Sequence, residues 1–255
     1  MRLRTSIRTL ESIVYPIAGM VAVLALWQGY VWAFAVNPIV LPSPLAIARA
    51  TAANHEILLS QTWPTLRESV YGFVLALLVG IPLAVCVANS RILNLTFYPI
   101  LIATQSIPKV AVAPIILVWF GIGMESKLVI AFLVAFFPVV VDTATGLKAT
   151  PAGLLELARS VSASPSQTFW KVQFPAAMPF IISGAKVAVT LAVIGAVIGE
   201  FVGSNEGLGN LLLSANAQLD GPLAWAALVW LSVLGIVLFF VVVAAERVLM
   251  PWGHH

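Results

Sequence analysis

Long uncharged stretches of apolar residues constrain this chain more than any other feature. The clearest stretch is 224–246, in which every residue before Glu246 is apolar or small and neutral. About 20 such residues are enough to cross the hydrocarbon core of a membrane as a helix. We predict an all-α integral membrane protein with six transmembrane helices at about 13–35, 66–89, 97–120, 126–146, 181–203 and 224–246.

The composition agrees with an integral membrane protein. Apolar residues make up 61% of the chain and charged residues 9%, whereas a soluble domain carries about 25% charged residues. The net charge of +3 is spread along the sequence, so nucleic-acid binding is not indicated. We predict one transmembrane domain over residues 1–255, with membrane lipid as its surroundings.

The first apolar run has an alternative interpretation as a cleaved signal peptide. Arginines precede it, and Ala33–Ala35 resembles a cleavage site. However, the run Ile13–Phe34 exceeds the roughly 7–15 apolar residues of a signal peptide. Trp27 and Trp32 near its end are typical of a membrane interface. We therefore predict a retained first helix.

The basic residues predict the orientation, because Lys and Arg accumulate on the cytoplasmic side of a membrane protein. With a cytoplasmic N-terminus, nine basic residues lie inside and three outside. We predict that both termini and the segment 147–180 are cytoplasmic. The inside set is Arg2, Arg4, Arg8, Arg91, Lys148, Arg159, Lys171, Lys186 and Arg247, and the outside set is Arg49, Arg67 and Lys127.

Sequence signatures of catalysis are missing. The chain has no Gly-x-x-x-x-Gly-Lys-Ser/Thr phosphate loop, no Ser-His-Asp pattern and no metal-ligand spacing around its histidines. We therefore predict no catalytic residue, no metal site and no enzyme activity of its own. The terminal pair His254–His255 is either native or the remnant of a tag.

Three charges inside the predicted helices are candidates for a translocation pathway. Lys109 lies between Pro108 and Pro114 in the third apolar run, Asp142 in the fourth and Glu200 in the fifth. A charge at membrane depth costs about 2.5–3.5 kcal/mol on insertion scales, so it faces protein or water rather than lipid. The alternative is a structural role, with Lys109 paired to a carboxylate or to backbone carbonyls and the two acids as helix-end or inter-helix partners.

The cytoplasmic segment 147–180 contains a patterned stretch. Leu154, Leu155, Ala158 and Val161 follow helical spacing, which predicts a short amphipathic helix that ends before Pro165. Two alternatives remain open on physical grounds. The helix either docks a cytoplasmic partner or packs beneath the transmembrane bundle.

The same stretch resembles the permease subunits of ATP-binding-cassette importers. Their motif is Glu-Ala-Ala, three residues, Gly, nine residues, Ile-x-Leu-Pro. Glu156 and Ala158 match its start, and Val172 and Pro175 match its end. Ser162 stands where the family has glycine.

Further short motifs resemble the nitrate/sulfonate/taurine branch of this family over nearly the whole chain. They are Leu41–Pro44, Thr65–Arg67, Gly72–Phe73, Gly80–Pro82, Trp119–Gly123, Glu200–Gly203, Gly207–Gly209, Asp220 and Glu246–Arg247. The resemblance implies a type I importer permease that moves a small anionic or heteroaromatic solute. Sulfonates, taurine, nitrate and vitamin precursors all remain open as cargo.

The resemblance also implies partners and a location. Two copies of an ATP-binding subunit would bind ATP and Mg, a second and identical permease copy would complete the pathway, and an extracytoplasmic binding protein would deliver the solute. The chain itself would bind no cofactor and would lie in the bacterial inner membrane. The ATPase-coupling residues would be Glu156, Leu157, Ala158, Arg159, Ser162, Val172 and Pro175. The alternative is a channel or membrane scaffold that needs no ATPase.

Overall fold

The computed structural model describes the backbone of residues 2–251 and the side chains of residues 14–251, so His254 and His255 lie outside it. Across this part of the chain the protein is helical and forms no strand, which confirms the predicted all-α class. The elements are α1 Arg2–Ala33, α2 Pro44–Ala53, α3 His55–Asn89, α4 Arg91–Gln105, α5 Lys109–Phe120, α6 Met124–Lys148, α7 Ala152–Ser160, α8 Pro165–Thr168, a π-helix Phe169–Gln173, α9 Phe174–Gly203, α10 Leu208–Ala217 and α11 Gly221–Leu249.

The chain divides into two compact units. The first comprises residues 1–58 and 211–229, and the second comprises residues 59–210 and 230–255. Every candidate site residue lies in the second unit. The single transmembrane domain over 1–255 stays a prediction.

Within the described residues, five helices are long and apolar enough to cross a membrane, which agrees with a multi-pass protein. They are Val14–Ala33, His55–Asn89, Met124–Lys148, Pro165–Gly203 and Gly221–Leu249. A sixth span exists if α4 and α5 together count as one. Both termini on the cytoplasmic side remain a prediction.

The third predicted helix, 97–120, is wrong as a continuous helix. The chain forms α4 and α5 instead, and their axes meet at 100°. Pro108 explains the break, because its ring removes a backbone donor and disfavours helical geometry at the preceding residue. Pro108 itself is extended, at φ −62° and ψ 112°. Ser90 caps the start of α4 by accepting a hydrogen bond from Leu93 N.

The predicted loop over 147–180 is also more helical than expected, and the fifth span begins well before residue 181. After α7, Ser164 caps α8 in a reciprocal capping box with Gln167, and Pro165 occupies the first turn. This arrangement satisfies backbone donors that a new helix leaves free. The helical path then runs from Pro165 to Gly203. Pro175 is tolerated because it lies in the first turn of α9.

Small residues let α6 and α9 pack closely. A methyl group added at Gly195 would lie 2.6 Å from the Cα of Ala131, and one at Gly199 would lie 3.0 Å from the Cα of Lys127. Close backbone approach through glycine and alanine is typical of membrane helix pairs. Ala76 of α3 joins the same buried cluster as Ala135 and Ala188. This packing brings one face of α3, α6 and α9 together.

Candidate functional site

Three helices bring their charged residues together in what we call the charge cluster, Glu68 of α3, Lys127 of α6 and Glu200 of α9. Lys127 Nζ lies 2.5 Å from Glu68 Oε1, and their side chains are 4% and 0% exposed. Glu200 is also buried. Such burial is costly for charges unless they are paired and hydrogen-bonded. The cluster therefore depends on its internal partners.

Glu200 is held through both carboxylate oxygens. Oε1 accepts a hydrogen bond from the Thr65 hydroxyl at 2.6 Å, and Oε2 accepts one from the Gly209 backbone N–H at 2.5 Å. The Thr65 hydroxyl in turn accepts the N–H of Leu208 at 2.9 Å. The carboxylate therefore joins α9, α3 and the backbone that follows α9.

The turn after α9, residues 204–207, is tied to the same cluster. Lys127 Nζ donates to Ser204 Oγ at 3.1 Å, and the Gly207 N–H donates to Gln61 Oε1 at 2.6 Å. Gly207 has φ +104°, and a side-chain carbon there would overlap the Glu200 carboxylate. Only glycine fits both the backbone conformation and the space. The turn is therefore shaped around a buried acid.

Sequence reasoning missed Glu68 and Lys127 as site residues, and it counted Lys127 among the external loop charges. A signal was present. Glu68 begins the second apolar run, Lys127 begins the fourth and Glu200 ends the fifth. Alternating spans put these three positions at the same membrane face. Opposite charges at one depth are expected to pair.

Lys109 lies in a different setting, at the break between α4 and α5. It is half-buried, and its Nζ donates to the carbonyl oxygens of Thr104 at 3.0 Å and Gln105 at 3.1 Å. Because the last carbonyls of a helix lack intrahelical donors, the ammonium satisfies the end of α4. The pairing with backbone carbonyls is the structural alternative foreseen from the sequence.

A cavity of about 310 Å³ opens beside this break. Residues of α4, α5 and α6 line it, together with Ile107 in the break, and Lys109 is its one charged lining residue. The lining residues are Leu101, Thr104, Gln105, Ile107, Lys109, Val112, Ile116, Ile130, Leu133, Val134, Phe136 and Phe137.

Asp142 stands apart from both sites. It is half-buried on α6, and Gly184 of α9 packs against it, so that an added Cβ would lie 2.9 Å from the Asp142 Cβ. The described residues give its carboxylate no hydrogen bond or ion pair. Within the described residues, no polar contact of Asp142 supports the inter-helix partner interpretation, and its role stays a prediction.

The motif residues of the segment 147–180 lie on and next to α7. Glu156, Leu157 and Arg159 are exposed, whereas Ala158 is buried. Val172 is half-buried in the π-helix and lines a groove of about 420 Å³ together with Leu157 and Ala158. Pro175 is half-buried in the first turn of α9. The structure thus gathers the first and last parts of the motif around one groove.

Ser162 keeps the turn that glycine makes in the family motif. Its φ is +55°, its N–H donates to Arg159 O at 2.9 Å, and the next N–H, of Ala163, donates to Ala158 O at 3.0 Å. These two bonds form a Schellman motif, in which the left-handed position favours glycine. Serine adopts that conformation at a cost of about 1 kcal/mol. The substitution leaves the geometry of the turn intact.

Comparison with known proteins places the chain among transport permeases. Curated relatives include the formylaminopyrimidine transport permease protein ThiX of Halalkalibacterium halodurans, 38% identical over 85% of this chain and 87% of the relative. The riboflavin transport system permease protein RibX of Chloroflexus aurantiacus is 34% identical, with 98% and 96% covered. The putative aliphatic sulfonates transport permease protein SsuC of Bacillus subtilis is 30% identical, with 90% and 84% covered.

A solved structure shares the fold. The inward-facing MetNI methionine ABC transporter matches with a TM-score of 0.68 at 24% identity, over 77% of this chain and 97% of the other. The family model for the inner membrane component of binding-protein-dependent transport systems matches residues 73–251. The predicted family and inner-membrane location are therefore confirmed. The chain belongs to the family of binding-protein-dependent transport system inner membrane components, the permease subunits of ABC importers for small solutes.

Proposed function

We propose that this permease is driven by a separate ATP-binding subunit that docks on α7. The observation that carries the proposal is the uncovered apolar surface of that helix. Leu154, Leu157 and Val161 are 44%, 60% and 69% exposed, next to the exposed Glu156 and Arg159. Outside the apolar spans, neighbouring exposed apolar residues mark an interaction surface.

The mechanical argument supports the same assignment. An ATPase can shift the permease between two conformations only through a contact whose free energy differs between them. The helical path from Pro165 to Gly203 runs from the docking segment to the end of α9. A force applied at α7 would therefore pass through the turn at 161–164 and then reach the transmembrane bundle along this helical path. ATP and Mg act in the partner, not in this chain.

The experiment is to substitute Leu157→Glu in a tagged permease that is co-expressed with its ATP-binding subunit. Leu157 is exposed, so the substitution tests docking with little effect on folding. Ala158 is a poorer choice because it is buried. Ser166→Glu is the control. Ser166 is exposed in the same segment and does not line the groove that Leu157, Ala158 and Val172 form.

We expect Leu157→Glu to lower recovery of the ATP-binding subunit at least tenfold, which corresponds to a loss of about 1.4 kcal/mol in binding. Ser166→Glu is expected to leave recovery of the ATP-binding subunit unchanged. Equal recovery with both variants would contradict docking at α7. Solute flux that persists without any ATP-binding subunit would support the channel alternative instead.

The remaining partners follow from the importer assignment. We propose that two identical permease copies form the pathway and that two ATP-binding subunits dock below. An extracytoplasmic binding protein would deliver the solute to the opposite face. The solute that the importer carries belongs to the small anionic or heteroaromatic class. The names of its relatives refer to transport of formylaminopyrimidine, riboflavin and, putatively, aliphatic sulfonates.

Lys109 and Asp142 are the residues that we propose for the pathway. Lys109 lines a cavity at a helix break, and Asp142 has an unpaired carboxylate on a packed helix face. Glu200 is assigned differently. Its full burial and its hydrogen bonds to Thr65 and Gly209 favour a role in positioning the turn after α9.

A further inference from the structure

The cavity beside the break between α4 and α5 has the features of a solute site inside the membrane. At a rise of about 1.5 Å per residue, the 15 residues of α4 extend only about 22 Å. This length is less than the roughly 30 Å of hydrocarbon in a bilayer, so the break at 106–108 falls at membrane depth. Non-helical backbone at that depth is tolerated where it is enclosed by protein or lines a hydrated cavity.

Lipid is a poor occupant for this cavity because its wall is partly polar. Gln105 is exposed, and none of the described residues makes a hydrogen bond to its side-chain amide. Lys109 Nζ donates two hydrogen bonds, to the carbonyls of Thr104 and Gln105, which leaves its third N–H free for a ligand. The opening therefore offers an amide donor, an amide acceptor and a single charged donor.

These few polar groups disfavour a small, strongly hydrated anion as the ligand. Such an ion loses its water shell on entry and needs several replacement donors. Thr104 is the remaining polar lining residue, and its hydroxyl already donates to Leu101 O at 2.7 Å. Nine of the lining residues are apolar, so the cavity has too few hydrogen-bond donors to replace the water shell of such an anion.

A flat ring with a polar edge matches the cavity better. Phe136 and Phe137 of α6 are half-buried in the wall, and Leu133 lies one turn before Phe137. Aromatic side chains stack on or meet the edges of other rings with about 0.5–1.5 kcal/mol beyond simple burial. The volume of about 310 Å³ is at the lower end of ordinary ligand pockets.

We propose that this cavity binds a flat nitrogen heterocycle, with its ring against Phe136 and Phe137 and its polar edge toward Gln105 and the free N–H of Lys109. The proposal rests on the importer function and narrows its cargo from two chemical classes to one. A ligand site here also accounts for the break between α4 and α5, since the break places polar groups beside an apolar wall.

The test uses the permease bound to its ATP-binding subunit in lipid nanodiscs. Two probes cover the size range, the three-ring lumichrome and the one-ring 4-amino-2-methylpyrimidine, and taurine represents small anions. Binding of each ring compound is measured directly, lumichrome by its fluorescence anisotropy and the pyrimidine by isothermal titration calorimetry, and taurine is tested as a competitor of whichever compound binds. The variants are Phe137→Ala and Gln105→Leu. Phe240→Ala is the control, because Phe240 is exposed on α11 and does not line the cavity.

We expect lumichrome or the pyrimidine to bind the wild-type complex and taurine not to compete. Phe137→Ala should weaken binding about tenfold and Gln105→Leu about fivefold, whereas Phe240→Ala should not change it. Binding of neither ring compound, displacement by taurine, or equal weakening by Phe240→Ala would overturn the proposal. Recovery of the ATP-binding subunit in the same preparations separates this failure from failure of the importer function.

Discussion

Two lysines in helices of this protein have opposite surroundings. Lys127 is 3% exposed and pairs with the carboxylate of Glu68. Lys109 is half-buried and pairs with backbone carbonyls at a helix break. Both are positive charges in helices of an apolar chain. Lys109 lies in the wall of a cavity.

The difference separates two ways of keeping a charge in a membrane protein. A fully enclosed charge must find an opposite charge, because desolvation otherwise costs several kcal/mol. A charge at a helix end can use the free carbonyls there and keep one side accessible. The first arrangement fixes helices to one another, whereas the second leaves a donor for a ligand.

The largest expected effect is that of Lys127→Met on stability. Removing one partner leaves Glu68 buried and uncompensated, which costs about 3–5 kcal/mol. At roughly 2–4 °C per kcal/mol for a protein of this size, the melting temperature should fall by about 6–20 °C. Thermal unfolding of the purified permease measures the change.

The matched control for that experiment is the double variant Lys127→Met with Glu68→Leu. Replacing both members of a buried pair by apolar residues is often neutral. We therefore expect the double variant to recover most of the lost stability. If it is as unstable as the single variant, the pair contributes through shape rather than charge, and the contrast between the two lysines is lost.

The next largest effect is expected for Gly207→Ala, which tests the turn attached to the charge cluster. A residue with a side chain at φ +104° costs about 1–3 kcal/mol, and here the new carbon would also displace the Glu200 carboxylate. We expect loss of stability with faster proteolysis of the turn after α9. Gly153→Ala on α7 is the control, since nothing lies within 4 Å of its added carbon. An unchanged Gly207→Ala protein would show that the turn is not shaped by Glu200.

A smaller effect is expected for Lys109→Met. The variant removes two hydrogen bonds from a half-buried group, and each contributes about 0.5 kcal/mol, the low end of the usual range, because water reaches the ammonium. We expect a melting temperature within a few degrees of the wild type, with reduced solute uptake. A loss as large as that of Lys127→Met would make Lys109 a structural residue and would remove the contrast between the two sites.

The sequence predicted the helical class and the cytoplasmic amphipathic helix because both depend on local patterns of apolar residues. It also placed Lys109 among functional candidates, since a charge between two prolines is conspicuous. The charge cluster was harder to predict. Glu68 and Lys127 are 59 positions apart in the chain, and each lies near the end of a predicted span, where a charge needs no partner. Their pairing follows from the close packing of α3 against α6, where a carbon added at Gly72 would lie 2.5 Å from the Cβ of Ala131. No local sequence pattern encodes that contact.

The smallest expected effect concerns Glu206, the outer partner of Lys127. Its carboxylate lies 3.8 Å from Lys127 Nζ and its side chain is 54% exposed. Exposed ion pairs contribute about 0–1 kcal/mol, because water screens them and the side chains lose freedom. Glu206→Gln should therefore shift the melting temperature by less than about 4 °C, and added salt should not enlarge the shift. A shift close to that of Lys127→Met would mean that Lys127 is held by the exposed acid rather than by Glu68. The exposed acid would then be the main partner of Lys127, and the buried pair with Glu68 would no longer distinguish Lys127 from Lys109.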